Sequence, residues 1–244
     1  EAAFTVLGSI ALHGLRLSET TLGSKVVVIG LGVIGQLVCR LAEAQGSEVT
    51  GIDPDPERSK NRENFFTSAD EVELRDVDTV IITAATSSNE PIELATKIAR
   101  NKAKIVVVGD IPLNISRNDF YYKELELVVS KSYGPGRYDK QYEALGNDYP
   151  IEYVRWTENR NFEAFTKLLS QKQIHLLDLV SEEVAFEDAP SVYEKFDDEI
   201  KPLSIVLRYN IDVEPKIEMA NDVQLEPRTS KVNVGILGAG NFAA

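Results

Sequence analysis

Apolar positions along the chain fall into two alternating textures. Residues 4–17 place Phe4, Leu7, Ile10, Ala11, Gly14 and Leu17 on one face at helical spacing, which predicts an amphipathic helix. Leu22, Gly23 and Ser24 then break it. Residues 25–29 are a short run dominated by Val and Ile, as expected of a strand buried on both faces of a parallel sheet. A helix follows over 34–45, with Gly46 where a C-terminal cap belongs, and a second strand over 48–52. Further strands are expected at 77–83, 104–109 and 125–131, with helices at 91–100 and 120–124 between them. Pro91 sits near a first helical turn, where its missing N–H costs nothing.

Strands alternating with helices over 1–133 predict an α/β fold, a Rossmann doubly wound parallel sheet. The stretch between Pro54 and Asp78 is short for helix, strand and helix. Phe65, Phe66 and Thr67 are the candidate strand there, so either that edge is trimmed or residues are missing. After Ser132 the texture changes to Tyr, Gly, Pro and charge up to Asn161. A helix is expected over 161–170, a strand near 179–186, a short helix over 187–196 and a strand over 203–209. Residues 210–230 read as a linker, and a fresh strand starts at Lys231.

The chain has 244 residues, enough for a substantial core. Its formal net charge of −13 disfavours nucleic acid and anionic membrane surfaces as partners. Cys39 is the single cysteine, so no internal disulfide forms, and its position on a helix suits a core residue better than a reactive thiol. With only His13 and His175 beside it, the usual structural zinc site is not available. No uninterrupted apolar run reaches the roughly 20 residues of a membrane span. There is no basic region ahead of an apolar stretch, so a secretory signal is not expected and the expected location is cytoplasmic. The chain starts at Glu1 rather than Met and stops inside a motif, which suggests an excerpt of a longer protein.

The motif with chemical content is Gly30-Leu31-Gly32-Val33-Ile34-Gly35, set between a strand and a helix. In such a turn the first glycine allows the tight bend, the second lets backbone approach a pyrophosphate, and the third lets helix and strand pack closely. The phosphates then meet free N–H groups at the positive end of the helix. Asp53 ends the next strand, 18 residues after Gly35. A carboxylate there accepts hydrogen bonds from adenosine ribose hydroxyls and repels a 2′-phosphate, which predicts NAD rather than NADP. Arg58 leaves the NADP alternative open. The competing reading is a Rossmann-like sheet that binds S-adenosylmethionine or no ligand. Ligands of parallel sheets bind at the carboxyl ends of strands, so Thr83, Ala84, Ala85 and then Val108 and Gly109 are further candidates for cofactor contact.

These residues, with Glu1-Ala-Ala-Phe4 and Leu22-Gly23, resemble the cofactor-binding domain of medium-chain, alcohol dehydrogenase-like dehydrogenases. The resemblance runs over about residues 1–209, and 134–209 resemble that family's insert and C-terminal catalytic-lobe segment. Tyr133-Gly-Pro-Gly-Arg-Tyr-Asp139 and 153–161 resemble a subgroup fused to a module like glucose–fructose oxidoreductase and inositol dehydrogenase. Residues 231–243, with Gly238, Gly240 and Ala243, resemble the start of that second module. The resemblance implies an NAD-dependent oxidoreductase acting on an alcohol, sugar or sugar nucleotide, and a homodimer through the 125–131 edge. It places Asp53 and Arg58 at the adenosine ribose and Val108 and Gly109 at the nicotinamide end. The alternative is a non-catalytic NAD(H) module serving the second one. Thr5 stands where the family places a zinc ligand, so no metal ligands are assigned. Lys131, Tyr133 and Asp110 lie near expected strand ends without a definable catalytic partner. The 133–161 insert reads either as an interface or solvated loop, or as a substrate-pocket rim. In the latter, Arg137, Arg155 and Arg160 hold an anion and Tyr138, Tyr153 and Trp156 stack on a sugar.

Overall fold

Alternation decides the architecture. In the computed structural model, which describes residues 1–60, 62–195 and 202–210, β1 (Lys25–Ile29) sends Val26 and Val28 into one core and Val27 and Ile29 into another. The same split occurs in β4 (Val77–Ile82) and β5 (Ala99–Val107): Ile81 and Val106 face the first core, Val80, Ile82, Ile105 and Val107 the second. Side chains of a strand point alternately to opposite faces, so a continuous apolar run is what a sheet covered on both sides requires.

The sheet contains β2 (Glu48–Ile52), β3 (Phe65–Phe66) and β6 (Glu126–Val129) as well, in the order β3-β2-β1-β4-β5-β6. All its pairings are parallel. The order reverses direction between β1 and β4, which opens a crevice beyond their carboxyl ends. The Rossmann doubly wound sheet expected from the alternation is therefore present. Residues 1–208 form one unit.

On the first face, α1 (Thr5–Leu17) packs on α2 (Val33–Ala44) and on α7 (Glu158–Ser170). Phe165 of α7 fits over Gly8 of α1, where a Cβ would lie 2.1 Å from the ring. Cys39 is wholly buried in this core, and desolvation pushes its thiol pKa up to about 12, which makes it inert as read from sequence. On the second face, α4 (Glu90–Ile98) buries Ile92, Ala95 and Ile98, and α5 (Arg117–Lys123) lies beside it.

Two local features differ from the sequence reading, and one of its two alternatives for the stretch after β2 is met. The helix expected to reach residue 100 stops at Ile98, where Lys123 Nζ donates to the carbonyls of Thr96, Lys97 and Ala99 at 2.7, 2.9 and 2.8 Å. The edge beyond β2 is trimmed: α3 (Pro56–Ser59) is a single turn, β3 pairs over two residues, and a one-turn 3-10 helix, Ala69–Glu71, follows. Residues 133–161 contain a further turn of helix, α6 (Lys140–Glu143), and the helix expected from Asn161 begins three residues earlier. The Glu158 N–H donates to Pro135 O at 2.8 Å, which ties the two ends of the insert together.

A second, two-stranded parallel sheet joins β7 (Glu182–Ala185) to β8 (Ile205–Arg208), with α8 (Ala189–Lys195) after β7. The expected linker at 210–230, apart from Asn210, and the second glycine fingerprint at 231–244 lie outside the described residues.

Candidate functional site

The turn after β1 is built from three glycines with different reasons to be glycine. Gly30 has φ +97°, a left-handed conformation, and a Cβ on it would lie 2.6 Å from Ala84 N. A Cβ on Gly35 would lie 1.9 Å from Gly30 O, so α2 reaches the turn only because that side chain is missing. Thr83 Oγ1 donates to Gly30 O at 2.6 Å and fixes the turn against β4. Gly32 is unlike either. Its φ of −63° and ψ of −176° suit any residue, and a Cβ there would meet only Arg58 Nη1, at 3.9 Å. Gly32 is the N-cap of α2 and supplies no side-chain acceptor to the first-turn N–H groups.

Asp53 closes β2 beside this turn. Its carboxylate accepts the Leu31 N–H at 2.6 Å and the Asp55 N–H at 2.9 Å. A carboxylate has about four acceptor positions; Arg58 Nη1 takes a third at 3.4 Å, so one remains for another donor. Arg58 lies against it, with Nη1 at 3.4 Å from Asp53 Oδ2 and Nε at 3.3 Å from Asp55 Oδ2. Gln36 of α2 holds the Arg58 carbonyl at 3.0 Å.

A groove of about 800 Å³ opens at this end of the sheet. Of the residues singled out from the sequence, it is lined by Gly30, Gly32, Asp53 and Arg58, and by Thr83, Ala84 and Ala85 across the crevice. Leu31 is buried in the first core and enters the site through its N–H alone. Val33 and Ile34 pack against the same core, and Gly35 is buried under the turn. Val108 packs on Gly14 of α1, and Gly109 packs on Ala84, where a Cβ would lie 2.0 Å from its carbonyl oxygen. Both stand next to the crevice at the end of β5 without lining the groove. The groove also extends to Thr67 and Ser68 after β3 and to Pro91, Leu94 and Lys97 of α4, which the sequence reading did not select. The strand-end rule applied to β3 finds the first two.

Several charged groups of the insert pair within it, although Arg137 Nε and Glu158 Oε2 are buried without a hydrogen-bond partner. Arg160 bonds Asp148 and the carbonyls of Val154 and Tyr149, and Arg137 bonds Glu143 Oε1 at 2.6 Å. These two arginines are held by partners within the insert. Trp156 lies 3.3 Å from the Arg16 guanidinium and 3.8 Å from that of Arg155, so its ring faces are occupied by cations of the chain itself. Asn161 joins the insert to α1 by bonding both Arg16 and the Tyr133 carbonyl. Burial and Arg155 bring the Arg16 pKa down to about 10, and burial and Arg16 bring that of His13 down to about 4. Lys131 lies over the Tyr138 ring and Tyr133 against Phe162, and neither lines the groove. Thr5 Oγ1 donates to Ala2 O at 2.7 Å.

Comparison with known proteins agrees with this geometry at the level of fold. A solved neighbour is galactitol-1-phosphate dehydrogenase from Escherichia coli, with a TM-score of 0.66 and 22% identity, covering 84% of this chain and 59% of that one. A curated relative, 2-dehydro-3-deoxy-L-galactonate 5-dehydrogenase from Pseudoalteromonas atlantica, is 28% identical over 60% of this chain and 44% of its own. D-guloside 3-dehydrogenase from Escherichia coli is 25% identical over 80% of this chain and 57% of its own. The chain thus spans about half the length of the curated relatives it matches. The resemblance to medium-chain dehydrogenases holds for the fold. A protein family described as "Putative heavy-metal chelation" matches residues 15–110. Among the described residues, no three His, Cys, Asp or Glu side chains converge as a metal-binding group.

Proposed function

We propose that this chain is the cofactor-binding region of an NAD-dependent dehydrogenase that moves a hydride to or from an alcohol or sugar carbon. The observation that carries the reading is Gly32. Nothing among the described residues requires glycine there, since a Cβ would meet only the end of the Arg58 side chain at 3.9 Å, yet the position is the N-cap of α2 in the groove that Asp53 also lines. A pyrophosphate approaching that helix end is what a bare backbone accommodates.

On this reading the first-turn N–H groups of α2 hold the pyrophosphate. The remaining acceptor position of Asp53 holds a ribose hydroxyl, and its charge disfavours a 2′-phosphate. Thr83, Ala84 and Ala85 shape the crevice, with Val108 and Gly109 toward the nicotinamide end. The bound nicotinamide supplies the redox chemistry, while the chain supplies binding, orientation and exclusion of water. The dehydrogenase names of the relatives, two of them acting on sugar-derived compounds, support an alcohol, sugar or sugar nucleotide as substrate.

The proposed organisation is a dinucleotide-binding domain over 1–133, an insert and catalytic-lobe segment over 134–209, a linker over 210–230 and the start of a second oxidoreductase module at 231–244. The proposed location is cytoplasmic, and the proposed assembly is a homodimer through 125–131. Titration with NADH tests the reading: fluorescence enhancement without a response to S-adenosylmethionine is expected. Saturable S-adenosylmethionine binding with no NADH response would overturn it.

A further inference from the structure

A 2′-phosphate on adenosine needs a cation near the ribose. Of the two cations that line the groove among the described residues, Arg58 and Lys97, Arg58 is the one in contact with Asp53. Its guanidinium is close enough to the glycine turn to meet a ligand there, with Nη1 3.9 Å from the Cβ position of Gly32. It is also occupied, because Asp53 and Asp55 take different nitrogens of the same group at 3.4 and 3.3 Å.

Asp55 is well placed to hold it. Its N–H donates to Asp53 Oδ1 at 2.9 Å, and its own Oδ1 accepts the Glu57 N–H at 2.9 Å. The Arg58 N–H returns to the Asp55 carbonyl at 3.1 Å. The carboxylate that caps α3 is therefore the one that pins the arginine leaving that turn. An ion pair this exposed adds little to stability, so its effect on the fold and its effect on the ligand are separable.

We propose that Asp55 is a specificity-determining positioning residue: by keeping the Arg58 guanidinium on two carboxylates, it withholds the cation that a 2′-phosphate would need. Preference for NAD(H) over NADP(H) then rests on Asp53, which repels the phosphate, and on Asp55, which occupies its natural partner. A released guanidinium can meet a phosphate with charge-assisted, paired hydrogen bonds. This inference rests on the nicotinamide reading given above.

The test is fluorescence titration of the full 244-residue chain with NADH and NADPH. The variants are Asp55→Asn, which keeps an oxygen for the Glu57 N–H, Asp55→Ser as a second version, Arg58→Ala, and Asp55→Asn combined with Arg58→Ala. Melting curves confirm that each folds. In both Asp55 variants the ratio of the NADPH to the NADH dissociation constant should fall on the order of tenfold. The gain should shrink at high salt and vanish when Arg58 is also removed. An unchanged ratio, or a gain that survives without Arg58, overturns the proposal. Failure of the unaltered chain to bind either cofactor overturns the nicotinamide reading, and this inference with it.

Discussion

Replacing Gly32 by Val separates what the turn does for the protein from what it does for a ligand. The backbone at Gly32 is extended, with φ −63°, and the nearest atom to a new Cβ is the end of a flexible arginine at 3.9 Å. Loss of a good N-cap residue costs up to about 1 kcal/mol, partly offset by the lower entropy of the unfolded chain. Net stability should therefore change by no more than about 1 kcal/mol. The effect on a bound dinucleotide is larger. A branched side chain at the end of α2 keeps a pyrophosphate from the first-turn N–H groups, and each hydrogen bond to a charged group is worth about 1.5–3 kcal/mol. Two lost bonds weaken NADH binding by roughly a hundredfold or more. Gly35→Ala is the contrasting control, because its Cβ would sit 1.9 Å from Gly30 O and the turn itself must move. Urea unfolding and NADH titration of both variants provide the assay. The expected result is a stable Gly32→Val that binds NADH roughly a hundredfold or more weakly and a destabilised Gly35→Ala. Near-normal NADH affinity in a folded Gly32→Val would refute the assignment of the turn to a pyrophosphate.

Two further predictions concern the frame around the site. Burial and Arg16 hold His13 at a pKa of about 4 against an ordinary 6.5. The unfolded chain therefore takes up the extra proton between those values, and stability is full above pH 6.5 and falls as pH drops toward 4. The full shift corresponds to about 3 kcal/mol, reduced to about 2 by residual solvent access. Urea unfolding at pH 7 and 4.5 should show a steeper loss in the unaltered chain than in His13→Gln, and equal slopes would refute the buried neutral imidazole. Lys123→Met removes all three donors to the carbonyls at the end of α4 and should cost about 1–2 kcal/mol. Unchanged urea stability would show that water replaces them without loss.

The sheet was legible because its inner strands are buried on both sides. The boundaries read for β1 and β2 match the observed ones, since 25–29 and 48–52 are flanked by glycine or polar residues that cannot extend the run. The glycine turn with Asp53 was legible for a similar reason: spacing alone brings them together when strand, helix and strand have ordinary lengths. Long-range side-chain partners were not legible. Nothing local to Lys123 reveals that it ends a helix more than twenty residues earlier, or that β5 reaches back to Ala99 through its pairing with Val77. Arg137 and Arg160 resemble ligand-binding arginines in a linear sequence. Only the folded insert brings Glu143 and Asp148 to them. The Thr67–Ser68 wall of the groove was missed although residues 65–67 were the candidate strand, because so short a strand did not prompt a search at its carboxyl end.

The shortness of β3 also governs how copies of this sheet can add to one another. An edge strand recruits another chain through its row of unpaired backbone groups. At one margin β3 presents two paired residues; at the other β6 presents four, with Val129 60% exposed. Head-to-tail growth would need the β6 margin of one copy to seat on the β3 margin of the next, and β3 has too little backbone to receive it. Continuation of the sheet is left to β6 meeting β6 across a two-fold axis, an arrangement that uses up both competent margins in one step. Among the described residues, trimming one side of the six-stranded sheet therefore makes any extension of that sheet self-limiting, because a pair joined through β6 turns only its two short β3 margins outward.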